Sequence, residues 1–221
     1  MIFTYHAHEH IKLNPGKITV ISTNNQSVYY DLLTGIDSDS GKVTILDDHY
    51  DALKISKIIN WVGDINNYSI SKPIESVYKH IAENLNEQQI NSIHNLTTKL
   101  FTEVQGCLFM ANLPLTVNND GDISKVFKYC GIRLEPSIKN NPYDIIETLI
   151  NIQVELNDIK IIGLTNVAHY LTSDHFQELA SLCRNADTSL LCIEFASLSD
   201  SSHYPDCDFY NIDSDFVDWH N

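Results

Sequence analysis

The sequence predicts an α/β fold, a mainly parallel sheet interrupted by a helical insertion, on three observations. Residues 159–195 hold a strand, a helix and a second strand in succession. A second apolar run, KITVIS at 17–22, leads through a polar loop into another helix. Residues 66–156 read mainly as amphipathic helices joined by polar loops.

The first observation anchors the fold. Ile159, Ile161, Ile162 and Leu164 form a short apolar run, the pattern of a strand buried on both faces of a parallel sheet. After the loop TNVAHY, Thr172 or Ser173 can cap a helix and Asp174 suits its positive end. Phe176, Leu179, Ala180 and Cys183 then recur at helical spacing. The chain turns at Asn185-Ala186-Asp187 and re-enters a strand over 188–195. A strand, crossover helix and strand of this length make a βαβ unit at the centre of a parallel sheet.

From the N-terminus, residues 1–13 alternate as a strand or ribbon, which puts His6, His8 and His10 on one face. Such a face could hold zinc or nickel, or simply be solvent-exposed. The loop after Ser22 reads STNNQSVYYDLL, with no glycine and no lysine, so the layout of a nucleotide-binding unit is present without its phosphate chemistry. Helix 28–33 follows, then Asp37-Ser38-Asp39-Ser40-Gly41, which reads as a solvated turn or a weak calcium string, and a strand over 42–46. Residues 56–65, SKIINWVGDI, read as a further strand. Ser71 and Pro73 open a helix with Ile74, Val77, Tyr78, Ile81 and Leu85 on one face. Asn86, with Gln89 three residues on, starts another, whose face runs Ile93, Leu96, Leu100, Val104, Cys107, Leu108 and Ala111. Asp122 caps a short helix that Gly131 ends, and Asn141-Pro142 opens a fourth through Leu156. The organisation read from this is a discontinuous head, 1–65 with 157–221, and a helical arm, 66–156.

A chain of 221 residues can bury a real core, and no apolar run reaches the roughly 18 residues of a membrane span. The N-terminus lacks the basic-then-apolar layout of a signal peptide. The five cysteines are scattered, never in a CxxC pair, and fit a reducing cytosol, so a cytoplasmic protein is expected. The net charge of −15 opposes a nucleic-acid partner, yet residues 186–221 alone carry −8 with no Lys or Arg. Screening acts over about 8 Å at physiological salt, so a distant acidic edge does not cancel a basic one. Half of the fourteen basic residues lie in the arm: Lys72, Lys79, Lys99, Lys125, Lys128, Arg133 and Lys139. Lys125 and Lys128 share one face of the short helix, as a basic patch or merely a solvated one. Asp120 and Asp122 read as a calcium pair or as a turn and a cap. His169, in the loop after the central strand, stands where α/β sites lie and reads as loop packing as readily as chemistry. No GxSxG, HExxH or glycine-rich phosphate loop occurs.

Four stretches, in order, carry a resemblance: VGDI at 62–65, GIRLE at 131–135, LTNVAHYLTSDHFQELASL at 164–182, and YNIDSDFVDW at 210–219 with Tyr210, Asp213, Asp215 and Phe216. Together they resemble the short accessory adaptation protein of type II-A CRISPR systems, the ring-forming Csn family. The resemblance implies a P-loop-like head without a working nucleotide site, and an inserted helical arm. It implies a non-catalytic homotetramer whose basic lining holds double-stranded DNA entered from an end, in support of the CRISPR integrase complex and the RNA-guided nuclease during spacer acquisition. Lys125, Lys128, Arg133 and, less centrally, Lys139 would then face the duplex. It implies calcium in the loop before the short helix. That loop is rich in Glu and Asp in the family and keeps only Asp120 and Asp122 here, so weaker binding is expected. Two other readings stay open: a degenerate nucleotide-handling or metal-dependent enzyme using His6, His8 and His10, and an interaction module using the acidic C-terminal edge.

Overall fold

The computed structural model describes residues 1–38, 40–134 and 141–220, the side chains of residues 71 and 72 excepted. Asp39 of the DxDxG string, Glu135 of GIRLE, Lys139 and the Lys72 side chain therefore lie outside the described residues. In chain order the elements are β1 (Ile2–Tyr5), β2 (Ile11–Lys12), β3 (Ile18–Thr23), α1 (Gln26–Ser38), β4 (Val43–Leu46), β5 (Ala52–Leu53), α2 (Ile55–Ile58) and β6 (Ile59–Gly63). Then come α3 (Ser71–Glu83), α4 (Glu87–Leu108), α5 (Ile123–Tyr129), α6 (Pro142–Leu156), β7 (Ile161–Thr165), α7 (Ser173–Ala186), β8 (Leu190–Glu194), β9 (Asp208–Ile212) and β10 (Asp218–His220). They form two compact units, Met1–Ile70 with Glu135–Asn221, and Ser71–Leu134.

The larger unit is an α/β domain around a six-stranded sheet in the order β10-β9-β3-β8-β7-β6. Every neighbouring pair is parallel except β10 with β9. Alternation along each strand sorts side chains to two faces. Val20, Ile162, Leu164, Leu190 and Cys192 join a core with α6 and α7, through Ile146, Leu149, Ile150, Phe176 and Leu179. Ile21, Ile161, Leu191 and Ile193 join a second core with Val28, Leu32 and Ile36 of α1 and with Phe3 and Ile45. The last two belong to an antiparallel sheet, β2-β1-β4-β5. Both faces are covered, as a parallel sheet requires. Gly163 permits the β6–β7 contact: a Cβ there would come within 2.5 Å of the Trp61 ring.

Several boundaries differ from the sequence reading. Helix α6 belongs with the head, because Ile146, Leu149 and Ile150 are buried in its core. Helical periodicity shows that a face is apolar and says nothing of what it packs on. Ile55–Ile58 is a helical turn, so the strand of 56–65 is only Ile59–Gly63. Ile159 is exposed and the central strand starts at Ile161. The helix start at Thr172 is as expected: its side chain accepts from His175 N at 3.3 Å, and the His175 ring is placed to bond Thr172 N at 3.2 Å.

The smaller unit holds α3, α4 and α5. Asn86 and Gln89 close a capping box on α4, with both bonds at 2.9 Å. Asp122 caps α5 by accepting from Ser124 N at 2.9 Å, and Gly131 at φ +65° turns the chain after it. Tyr78 is the one buried side chain among its described residues.

Candidate functional site

In the arm the predicted cations divide by partner. Lys125 Nζ donates to Asp120 Oδ2, which holds that carboxyl below its usual range and the ammonium above its own. Lys128 Nζ lies 3.7 Å from Glu75 Oε1 of α3. Among the described residues, Arg133, Lys79 and Lys99 form no ion pair. The structure thus brings Lys125 and Lys128 onto one short helix, each beside an acid. Lys139 lies outside the described residues.

The calcium pair fits poorly. Asp122 Oδ1 is engaged as the α5 cap and Asp120 is paired with Lys125. Calcium takes six to eight oxygen ligands, and no group of three His, Cys, Asp or Glu among the described residues is placed to hold a metal ion. The two carboxylates alone do not make a tight site.

The apolar face of α4 is uncovered. Ile93, Leu96, Leu100, Val104 and Cys107 follow a three-four spacing, the seam along which helices pair. Yet Leu96 is 64% exposed, and beyond the helix Phe109 and Met110 are 81% and 85% exposed. A cleft of about 330 Å³ opens beside it, lined by Ile93, Leu100, Phe101, Val104, Val117 and Val126 among others.

The three N-terminal histidines do not share a strand face, which corrects the metal-face reading. Strand β1 ends at Tyr5, and His6 turns the chain at φ +48°. His8 Nδ1 then bonds Asp218 Oδ1 at 2.7 Å, His6 Nε2 lies 3.9 Å from Asp31 Oδ2, and His10 tilts against Tyr50. After β3, Asn25 Oδ1 accepts from Ser27 N at 3.0 Å and Val28 N at 3.3 Å. The amides a phosphate would use are bonded within the chain.

The C-terminal string has a structural reason. Asp213 accepts from Trp219 Nε1, Val217 N and Asp215 N, each at 2.9 Å, and so builds the turn from β9 to β10. These bonds, Trp219's foremost, hold its carboxyl low. The sequence reading missed Glu194. It ends β8, is 2% exposed, and accepts from Val167 N at 2.9 Å. Burial pushes its carboxyl up to about 8, against the pull of the Val167 and Ala168 amides. An acid closing an otherwise apolar strand, LLCIE, was the available signal.

The family model described as CRISPR-associated protein (Cas_Csn2) matches residues 36–216. The chain belongs to the Csn2 family. It is therefore an accessory protein associated with CRISPR adaptation. The crystal structure of Stu0660 of Streptococcus thermophilus aligns at a TM-score of 0.58 and 13% identity, over 100% of this chain and 76% of that one, which is a likeness of fold. Two ATP-binding cassettes of ABC transporters, MJ1267 in its ADP conformation and a nucleotide-free cassette, align at a TM-score of 0.42. They are 13% and 14% identical over 95% and 100% of this chain and 84% and 89% of theirs. No curated protein sequence matches the chain. Among the described residues no helix is long and apolar enough to cross a membrane.

Proposed function

We propose that this Csn2-family protein is a non-catalytic homotetrameric ring that holds double-stranded DNA ends during spacer acquisition, alongside the CRISPR integrase complex and the RNA-guided nuclease. The observation that carries the reading is the uncovered face of the arm. Six side chains, Leu96, Leu100, Val104, Phe109, Met110 and Leu113, stand exposed there. At on the order of 100 Å² each they offer about 600 Å² per copy, near the ~800 Å² that each partner of a standard interface contributes. A unit with one buried side chain among its described residues needs a neighbour to complete its core. A second copy of the same seam is self-complementary and closes a dimer, and a second interface joins two dimers into the ring.

DNA contact rests on Arg133 and on Lys125 and Lys128, with Lys79 and Lys99 as unpaired cations of the same arm. Lys139 stays within the proposal on its sequence position alone. A closed ring multiplies each lysine by four, and each neutralised phosphate steepens the salt dependence by about 0.9. Calcium belongs to the proposal only as a weak site at Asp120 and Asp122, in competition with Lys125 for Asp120. Size-exclusion chromatography with light scattering tests the assembly. Four chains of 25.1 kDa give a particle of about 100 kDa. The Leu96→Glu/Leu100→Glu variant should yield smaller species with the head still folded. A parent that runs as a monomer or a dimer at micromolar concentration refutes the ring.

A further inference from the structure

A cleft of about 400 Å³ opens in the head at the carboxyl ends of β7 and β8. The 3-10 turn Val167–His169, the first residue of α7 and the 3-10 segment Leu198–His203 wall it. In open α/β sheets, ligands bind outside the carboxyl ends of the strands. The connection out of β8, Leu198–His203, packs on α7, the helix that follows β7, so the cleft lies between the two connections.

The lining selects the ligand's charge. Glu194 and Asp200 both line the cleft and no Lys or Arg does. Asp200 is held low by the Ser197 amide and hydroxyl, so it is ionised. His203 is committed, with Nε2 2.9 Å from Leu171 O and Nδ1 3.5 Å from Ser173 Oγ. Tyr29 from α1, Cys192 from β8 and Tyr204 also face Glu194, and burial raises the pKa of each, so all three stay neutral. Apart from the imidazoles of His169 and His203, a phosphate or carboxylate ligand would meet no cationic side chain in the lining, and it would face the ionised Asp200. The half-exposed ring of Phe195 adds an aromatic wall of the kind that favours alkylammonium groups.

We propose that this cleft binds a small organic cation, a protonated amine, with Glu194 as its buried counter-ion. Binding stabilises the carboxylate over the carboxylic acid, so one proton leaves Glu194 for solvent as the amine enters. With that carboxyl at about 8, affinity should rise about tenfold per pH unit up to that value.

Isothermal titration of the full chain with putrescine, in two buffers of different ionisation enthalpy at pH 7, tests this. The expected result is saturable binding with close to one proton released per site, about tenfold weaker at pH 6. Glu194→Gln should abolish binding without lowering the thermal midpoint. Ser202→Phe, which fills the rim and leaves Glu194 intact, should abolish binding as well. Absence of binding at millimolar putrescine overturns the proposal. So does binding that Ser202→Phe leaves unchanged, as counter-ion attraction to the acidic surface would give, or binding of magnesium in place of putrescine.

Discussion

Glu194→Gln is the perturbation whose outcome follows most directly from the structure. The parent carboxyl sits near 8 when folded, against an ordinary 4.5. Between those values the folded chain keeps a proton that the unfolded chain has lost, so stability falls as pH rises through that window and levels off above pH 8. From pH 5.5, just above the isoelectric point, to pH 8.5 the loss assigned to this one group is about 3 kcal/mol. Glutamine resembles the neutral acid in shape, retains an oxygen to accept from Val167 N, and does not titrate. The variant should therefore lose about 3 kcal/mol less than the parent over that interval. All other groups are common to both chains. Urea denaturation at the two pH values reads it out: with a slope of ~2 kcal/mol/M, the midpoints of parent and variant should separate by about 1.5 M more at pH 8.5. Parallel pH profiles would refute the reasoning and mean that the Val167 and Ala168 amides hold Glu194 ionised at neutral pH.

Lys125→Ala/Lys128→Ala/Arg133→Ala should abolish binding to a linear duplex at 0.15 M salt and flatten the salt slope, measured by fluorescence anisotropy, with unchanged circular dichroism. Asp120→Asn releases Lys125 from its ion pair and should tighten the same binding several-fold; weaker binding would count against Lys125 as a phosphate contact. Gly163→Ala puts a methyl against Trp61 and should cost about 1–3 kcal/mol of unfolding free energy in denaturant. Thr172→Ala removes the α7 cap and should cost ~1 kcal/mol by the same measure.

Local chemistry made much of the fold legible. The capping residues Asn86, Asp122, Asn141 and Thr172 each accept from a backbone amide of the helix they open, because an unpaired helix amide selects those side chains wherever the helix lies. The β7-α7-β8 unit followed from apolar runs and one amphipathic face. Long-range placement was not legible. The period of α6 is the same whether it packs on a sheet or in an arm, so its membership in the head appeared only with Ile146 and Ile150 in that core. Alternating histidines suit a strand face only if the strand continues, and β1 stops at Tyr5. The ion pairs of Lys125 and Lys128 join residues five positions and one helix apart, beyond what a basic count can show. Glu194 looked like one acid among eight in an acidic segment, and only its burial sets it apart.

The central claim, a ring that DNA enters from an end, is tested most directly with one duplex in two topologies. Gel shifts at fixed low salt would compare a linear fragment with the same sequence as a covalently closed circle. The ring predicts a retarded complex with the linear form and none with the circle, and the complex should be lost when bulky blocks cap both ends. Equal binding to linear and closed DNA would contradict threading.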